Sequence, residues 1–169
     1  MKQKSTKRAS RIWSPTLLQE IERMVKEIAI LLKTTDDLDD SIAASYEYML
    51  ADEAYKFLPT RLKRDFGLEV QGKLVRKFVK DNKGEPVQMN IIGEAIRNGN
   101  HFIVVGESRL HLSKEMVDEF LHKKLKRLEG VYQNELFPIL ITHMTSQPDV
   151  AEFALQQGIK SVYYSYEFA

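Results

Sequence analysis

The chain has 169 residues, 43% of them hydrophobic and 29% charged, which is room for one domain with a real core and a helical appendage. Twenty-five Lys and Arg against 24 Asp and Glu leave a formal net charge of +1, so bulk charge selects no class of partner. No cysteine is present, which excludes disulfides, thiol catalysis and thiolate zinc sites. No apolar run approaches the ~18 residues of a membrane helix, and no signal-peptide core follows the basic start, so a cytoplasmic protein with no membrane partner is expected.

Residues 1–14 read as a flexible basic tail, with Lys2, Lys4, Lys7, Arg8 and Arg11 and no acid among the first eleven residues. Ser14-Pro15 then has the form of a helix start, with Ser as N-cap and Pro in the first turn. Leu17, Ile21, Met24, Ile28 and Leu31 recur in 4-3-4-3 steps, flanked by Leu18, Val25 and Leu32. The same register continues through Thr35, Leu38, Ile42, Ser45 and Met49. The run KTTDDLDD is poor in helix formers, so either two helices meet near residue 35 or one long helix passes through it. Residues 15–44 form a helical arm whose seam is either a coiled coil, most simply of a homodimer, or a face that packs on the chain's own sheet. A core helix over 37–64 follows, kinked or split at Pro59 and stopped at Gly67.

Strand-like segments cover 68–80, 87–96 and 101–110, with a turn at DNKGEP and a hairpin signal at Asn98-Gly99. Ser113 caps an expected helix through residue 132, then come a strand at 136–144, a helix at 147–158 and a last strand to residue 168. On that strand Tyr163, Tyr164 and Tyr166 alternate between faces. Three meandering strands and a β-α-β crossover imply an α/β fold with a mixed central sheet flanked by helices.

The third strand ends on Glu107-Ser108-Arg109, with Glu107 and Arg109 on one face by alternation. Asn90 is polar within the apolar stretch QMNII of the neighbouring strand and is expected to converge on Glu107. One acid from each of two strands and a cation two residues past the second acid is what metal-dependent phosphodiester cleavage asks for. The four histidines, at 101, 111, 122 and 143, lack metal-ligand spacing, and no phosphate loop or dinucleotide fingerprint occurs, so no nucleotide cofactor is expected. HKKLKR (122–127) and RLKR (61–64) offer Lys123, Lys124, Lys126 and Arg127 with Arg61, Lys63 and Arg64 as a combined phosphate-facing surface for DNA or another nucleic acid.

The element order and the stretch VQMNIIGEAIRNGNHFIVVGESRLHLSKEMVDEFL resemble the PD-(D/E)xK, or restriction-endonuclease-like, nuclease superfamily. The closest resemblance is to its uncharacterised prokaryotic members with an N-terminal coiled coil, and it covers roughly residues 45–169 as one nuclease-like domain. It implies an αβββαβ core and a magnesium-dependent endonuclease ancestry, with Mn²⁺ as substitute ion. Asn90, Glu107 and Arg109 fall on the catalytic positions and Glu53, Asn90 and Glu107 on the metal positions. The superfamily pattern has Asp where this chain has Asn90, and Lys where it has Arg109. Asn brings no charge to a Mg²⁺ site, and Arg is a broad, permanently protonated fork. A degenerate pocket that still serves nucleic acid is therefore expected, with any weak metal site resting on Glu107 and Glu53. A direct Glu107–Arg109 pair bridged by Asn90 is expected in place of the ion. The alternative is a non-enzymatic module that dimerises through the arm.

Overall fold

The computed structural model describes residues 14–168, so the basic tail lies outside the described residues. The chain divides into two compact units, Met1–Ile42 and Ala43–Ala169.

Helix α1 runs unbroken over Pro15–Phe66. Ser14 caps it, its Oγ accepting from the Leu17 amide at 3.2 Å. The weak stretch near residue 35 stays helical, and Thr34 and Thr35 turn their hydroxyls inward, each donating to the carbonyl four residues back at 2.9 and 3.0 Å. One helix passes through, as the second of the two sequence alternatives has it. Within the first unit the seam residues from Leu17 to Ile42 face solvent.

Pro59 does not split the helix. An interior proline costs about 3 kcal/mol. Leu58 and Leu62 on either side of it are fully buried, with Ala51 and Ala54 on the same face. Two buried leucines contribute roughly 1.5–3 kcal/mol each, so packing outweighs the lost hydrogen bond. The helix stops at Gly67, whose φ of 66° is the left-handed conformation and whose amide closes on the Lys63 carbonyl at 2.9 Å.

Strands β1 (Glu69–Lys80), β2 (Pro86–Arg97), β3 (Asn100–Leu112), β4 (Glu135–Thr145) and β5 (Ser161–Tyr164) form one mixed sheet in the order β1-β2-β3-β4-β5. The first three form an antiparallel meander, and β4 and β5 are added parallel. Asn98 (φ 51°) and Gly99 (φ 78°) make the tight β2–β3 turn with Arg97 paired to Asn100, as their sequence predicts. The crossovers use α2 (Lys114–Glu119) and α3 (Val150–Gln156). The predicted long helix after Ser113 is present, but it changes winding. After α2 it continues as a π-helical turn over Phe120–Leu125 and a 3-10 turn over Lys126–Leu128.

Each sheet face has its own core. The C-terminal part of α1 covers Ile91, Ala95, Phe102, Val104, Phe137, Ile139, Ile141 and Tyr163. The α2–π segment and α3 cover the other face, with Met89, Ile92, Ile103, Val105 and Leu140 among the residues beneath them. The last strand is shorter than expected. It ends at Tyr164, and Tyr166 lies in a 3-10 turn, stacked on Tyr164 with ring centroids 5.2 Å apart, so the predicted alternation stops at the strand's end.

Candidate functional site

Between β1 and β2 the register passes from Lys77↔Met89 to Val75↔Ile92, which leaves Arg76 opposite both Asn90 and Ile91. This is a β-bulge, and it reverses the side-chain phase of β2. On one side of it Val87 and Met89 belong to the α2-side core, while on the other side Ile91 and Ala95 belong to the α1-side core. The β2–β3 ladder also ends there, its last pair being Ile91↔Gly106. The freed Asn90 carbonyl accepts from the Tyr55 hydroxyl of α1. Burial raises the Tyr55 pKa, against the opposing field of Arg76.

The bulge decides where Asn90 points. In an unbroken ladder Asn90 would stand across from Glu107, on its face. Instead its Nδ2 donates to Ser108 Oγ at 3.2 Å, and Ser108 donates to the Glu47 carbonyl of α1 at 2.7 Å. Asn90 and Ser108 thus share the α1 side, and Glu107 lies on the other. The expected convergence of Asn90 with Glu107 is not formed.

Glu107 is buried, and its partner is Lys124 from the π-helical turn. The Lys124 ammonium donates to the Glu107 carboxylate and to the Gln88 carbonyl at 2.9 Å, so one cation links β3 to β2 where their ladder has ended. Arg109 does not neutralise Glu107. It lies 3.8 Å from Glu47, whose other oxygen accepts from the Leu110 amide at 3.3 Å. Glu53, the second expected metal ligand, is exposed and pairs with Lys56 at 3.3 Å. It borders a cavity of about 180 Å³ with Tyr46, Met49, Leu110 and His143, apart from Glu107.

The residues implied by the resemblance therefore do not fit a magnesium ion. Mg²⁺ takes hard oxygen ligands and draws its affinity from carboxylate charge. Asn90 is turned to the other face, Glu53 is elsewhere, and the Glu107 carboxylate is already matched by an ammonium. Among the described residues no three His, Asp or Glu side chains gather as a metal site would need.

The proposed phosphate-facing surface is also not formed as one patch. Arg61, Lys63 and Arg64 lie on α1, and Lys123 to Arg127 on the segment that covers the opposite sheet face. Most of these cations are matched. Arg61 meets Glu167 at 2.7 Å, Lys63 meets Glu69 at 3.0 Å, and Arg64 meets Asp65 at 2.8 Å. Lys123 meets Glu119 at 3.0 Å, and Arg127 meets the buried Asp81 at 2.7 Å. Lys126, the remaining cation, is exposed on the helix surface.

One residue of this site carried a different reading in the sequence. Lys124 falls midway between Phe120 and Leu128 at i, i+4 spacing, on the buried stripe of its helix, and that spacing was the signal that it reaches inward. Asp81 holds the β1–β2 turn, accepting from the Lys83 and Glu85 amides at 2.9 and 2.8 Å. Burial by itself would raise its carboxyl, but Arg127 and the two amides outweigh it and hold the pKa below the usual carboxylate range.

No family model matches the chain, and neither a curated protein nor a solved structure is detectably similar to it. Among the described residues no helix is long and apolar enough to cross a membrane.

Proposed function

We propose that this chain is a non-enzymatic interaction module that self-associates through the N-terminal part of α1 and carries a disused nuclease-like pocket in its α/β unit. The observation that supports it is the solvent-facing seam. From Leu17 to Ile42 the large apolar residues at coiled-coil spacing are 38–66% exposed. Soluble monomers seldom expose contiguous apolar patches beyond a few hundred Å² without using them in an interface. A helix whose apolar stripe lacks a partner also forgoes the packing that supplies most helical stability in proteins.

The nuclease-like origin rests on the sequence resemblance and on an element order that agrees with it. On that reading Asn90, Arg109 and the internal Glu107–Lys124 pair mark a pocket that has given up its metal, and DNA is not its partner.

Light scattering of the full chain at tens of micromolar should give a mass above that of one copy. Ile28→Asp with Leu31→Asp should reduce it to one copy, because a buried seam does not tolerate unpaired carboxylates. A monomeric unmodified chain, or a substituted chain that stays associated, would show that the seam has no such role. Plasmid nicking with Mg²⁺ or Mn²⁺ should show no EDTA-sensitive cleavage. Robust cleavage that Glu107→Ala abolishes would restore the enzyme reading.

A further inference from the structure

The seam also carries information about how two copies meet, and this step rests on the self-association proposed above. We infer that the partner is a second copy of this chain aligned parallel and in register, as a two-stranded coiled coil.

The residues sort cleanly by heptad position. With Ile21 at position a, the a positions are Ile21, Ile28, Thr35 and Ile42, and the d positions are Leu17, Met24, Leu31 and Leu38. All four a residues are β-branched, and none of the d residues is. In a parallel in-register pair a meets a and d meets d, so each kind of side chain forms its own layers. Among parallel coiled coils, β-branched residues at a with leucine at d favour two strands. An antiparallel pair mixes a with d in every layer and gives no reason for that sorting.

The rest of the helix surface is compatible. Three of the four aspartates of the acidic run, Asp36, Asp37 and Asp40, fall at b, c and f, away from the seam. The apolar e residues Val25 and Leu32 would face Glu20 and Glu27 at the g positions of the other copy, whose methylene stems can cover them. Thr35 already satisfies its hydroxyl on the Leu31 carbonyl, so it can turn its methyl to the seam. It is also the one polar a residue of this stretch. From Leu17 to Ile42 the seam is about 38 Å long at ~1.5 Å per residue. At roughly 12 Å of width, about one helix diameter, it buries roughly 900 Å² over both copies, at the low end for a specific interface.

The absence of native cysteine makes the test clean. Leu17→Cys and Ile42→Cys are made singly in the full chain, one carrying a small tag, then mixed, exchanged and oxidised. The parallel pair predicts 17–17 and 42–42 disulfides and essentially no 17–42 product. Met24→Cys, inside the seam, should also cross-link to itself and serves as a second reporter should the end at residue 17 fray. A dominant 17–42 product from a chain that scatters as a dimer overturns the orientation and leaves self-association standing. A trimeric or tetrameric mass overturns the two-stranded assignment. A monomeric mass overturns both this inference and the function on which it rests.

Discussion

Glu107 and Lys124 are the residues on which the α/β unit's interior charge balance turns. Each is costly to bury alone, and breaking a buried pair by removing one partner costs about 3–5 kcal/mol. Lys124→Met should therefore lower unfolding free energy in urea by roughly that amount. Lys124→Met with Glu107→Leu should recover most of the loss, since an apolar pair of similar size leaves no orphan charge. A single-variant loss below ~1 kcal/mol would show that water already screens the carboxylate. Asp81 gives a pH-dependent counterpart. Its folded pKa lies below the unfolded value of about 3.9, so its contribution is fully present above that pH and is lost as pH falls through the folded pKa. Asp81→Asn should be less stable than wild type at neutral pH, and the gap should close in acid below about pH 4. A gap that stays constant down to strongly acid pH would mean that the Asp81–Arg127 pair is not what links stability to protons.

At the scale of elements, the β2 bulge and the end of the β2–β3 ladder set what the site can be. Gly106 lies at the ladder's last pair, and a Cβ there would sit 3.0 Å from the Ile139 carbonyl oxygen and 3.3 Å from the Ile91 Cβ. A backbone atom cannot swing away, so Gly106→Ala should force β3 and β4 apart and destabilise by about 1–3 kcal/mol in urea titration, in the manner of an overpacked core. Gly67→Ala tests a different device, the left-handed stop of α1 at φ 66°. About 1 kcal/mol is expected there, from backbone strain alone, with no change in the denaturant slope. A neutral Gly106→Ala would mean that the two parallel strands have slack that the packing does not suggest.

For the whole molecule, a two-stranded arm makes association and stability inseparable. If, as proposed, a second copy covers the apolar seam of the first unit, the melting temperature of that helix should rise with protein concentration. Circular dichroism at 222 nm over a hundredfold range of concentration checks this. A melting curve that does not move with concentration would count against the arm as an interface. Joining two chains also doubles whatever the α/β unit presents, so weak contacts by that unit gain avidity without any new residue.

Local patterns determined much of this protein by themselves. The Ser14 cap, the seam, the Gly67 stop, the Asn98-Gly99 hairpin and the alternation of strands and helices were legible because each depends on residues a few positions apart. The continuity of the helix through Pro59 was not, since it depends on how deeply Leu58 and Leu62 are buried by a sheet far along the chain. The site was legible only in part. The third strand runs on to Leu112 instead of ending at Arg109, and counting by twos carried Asn90 onto Glu107's face. One extra residue opposite Arg76 turned it to the other, and a bulge is fixed by how two strands pair, which neither strand's own sequence states. Lys124 was read as a surface cation because charge runs on helices usually face water. Only the docking of the π-helical turn on the sheet could bring its ammonium to Glu107, since that contact joins residues 17 positions apart through tertiary packing.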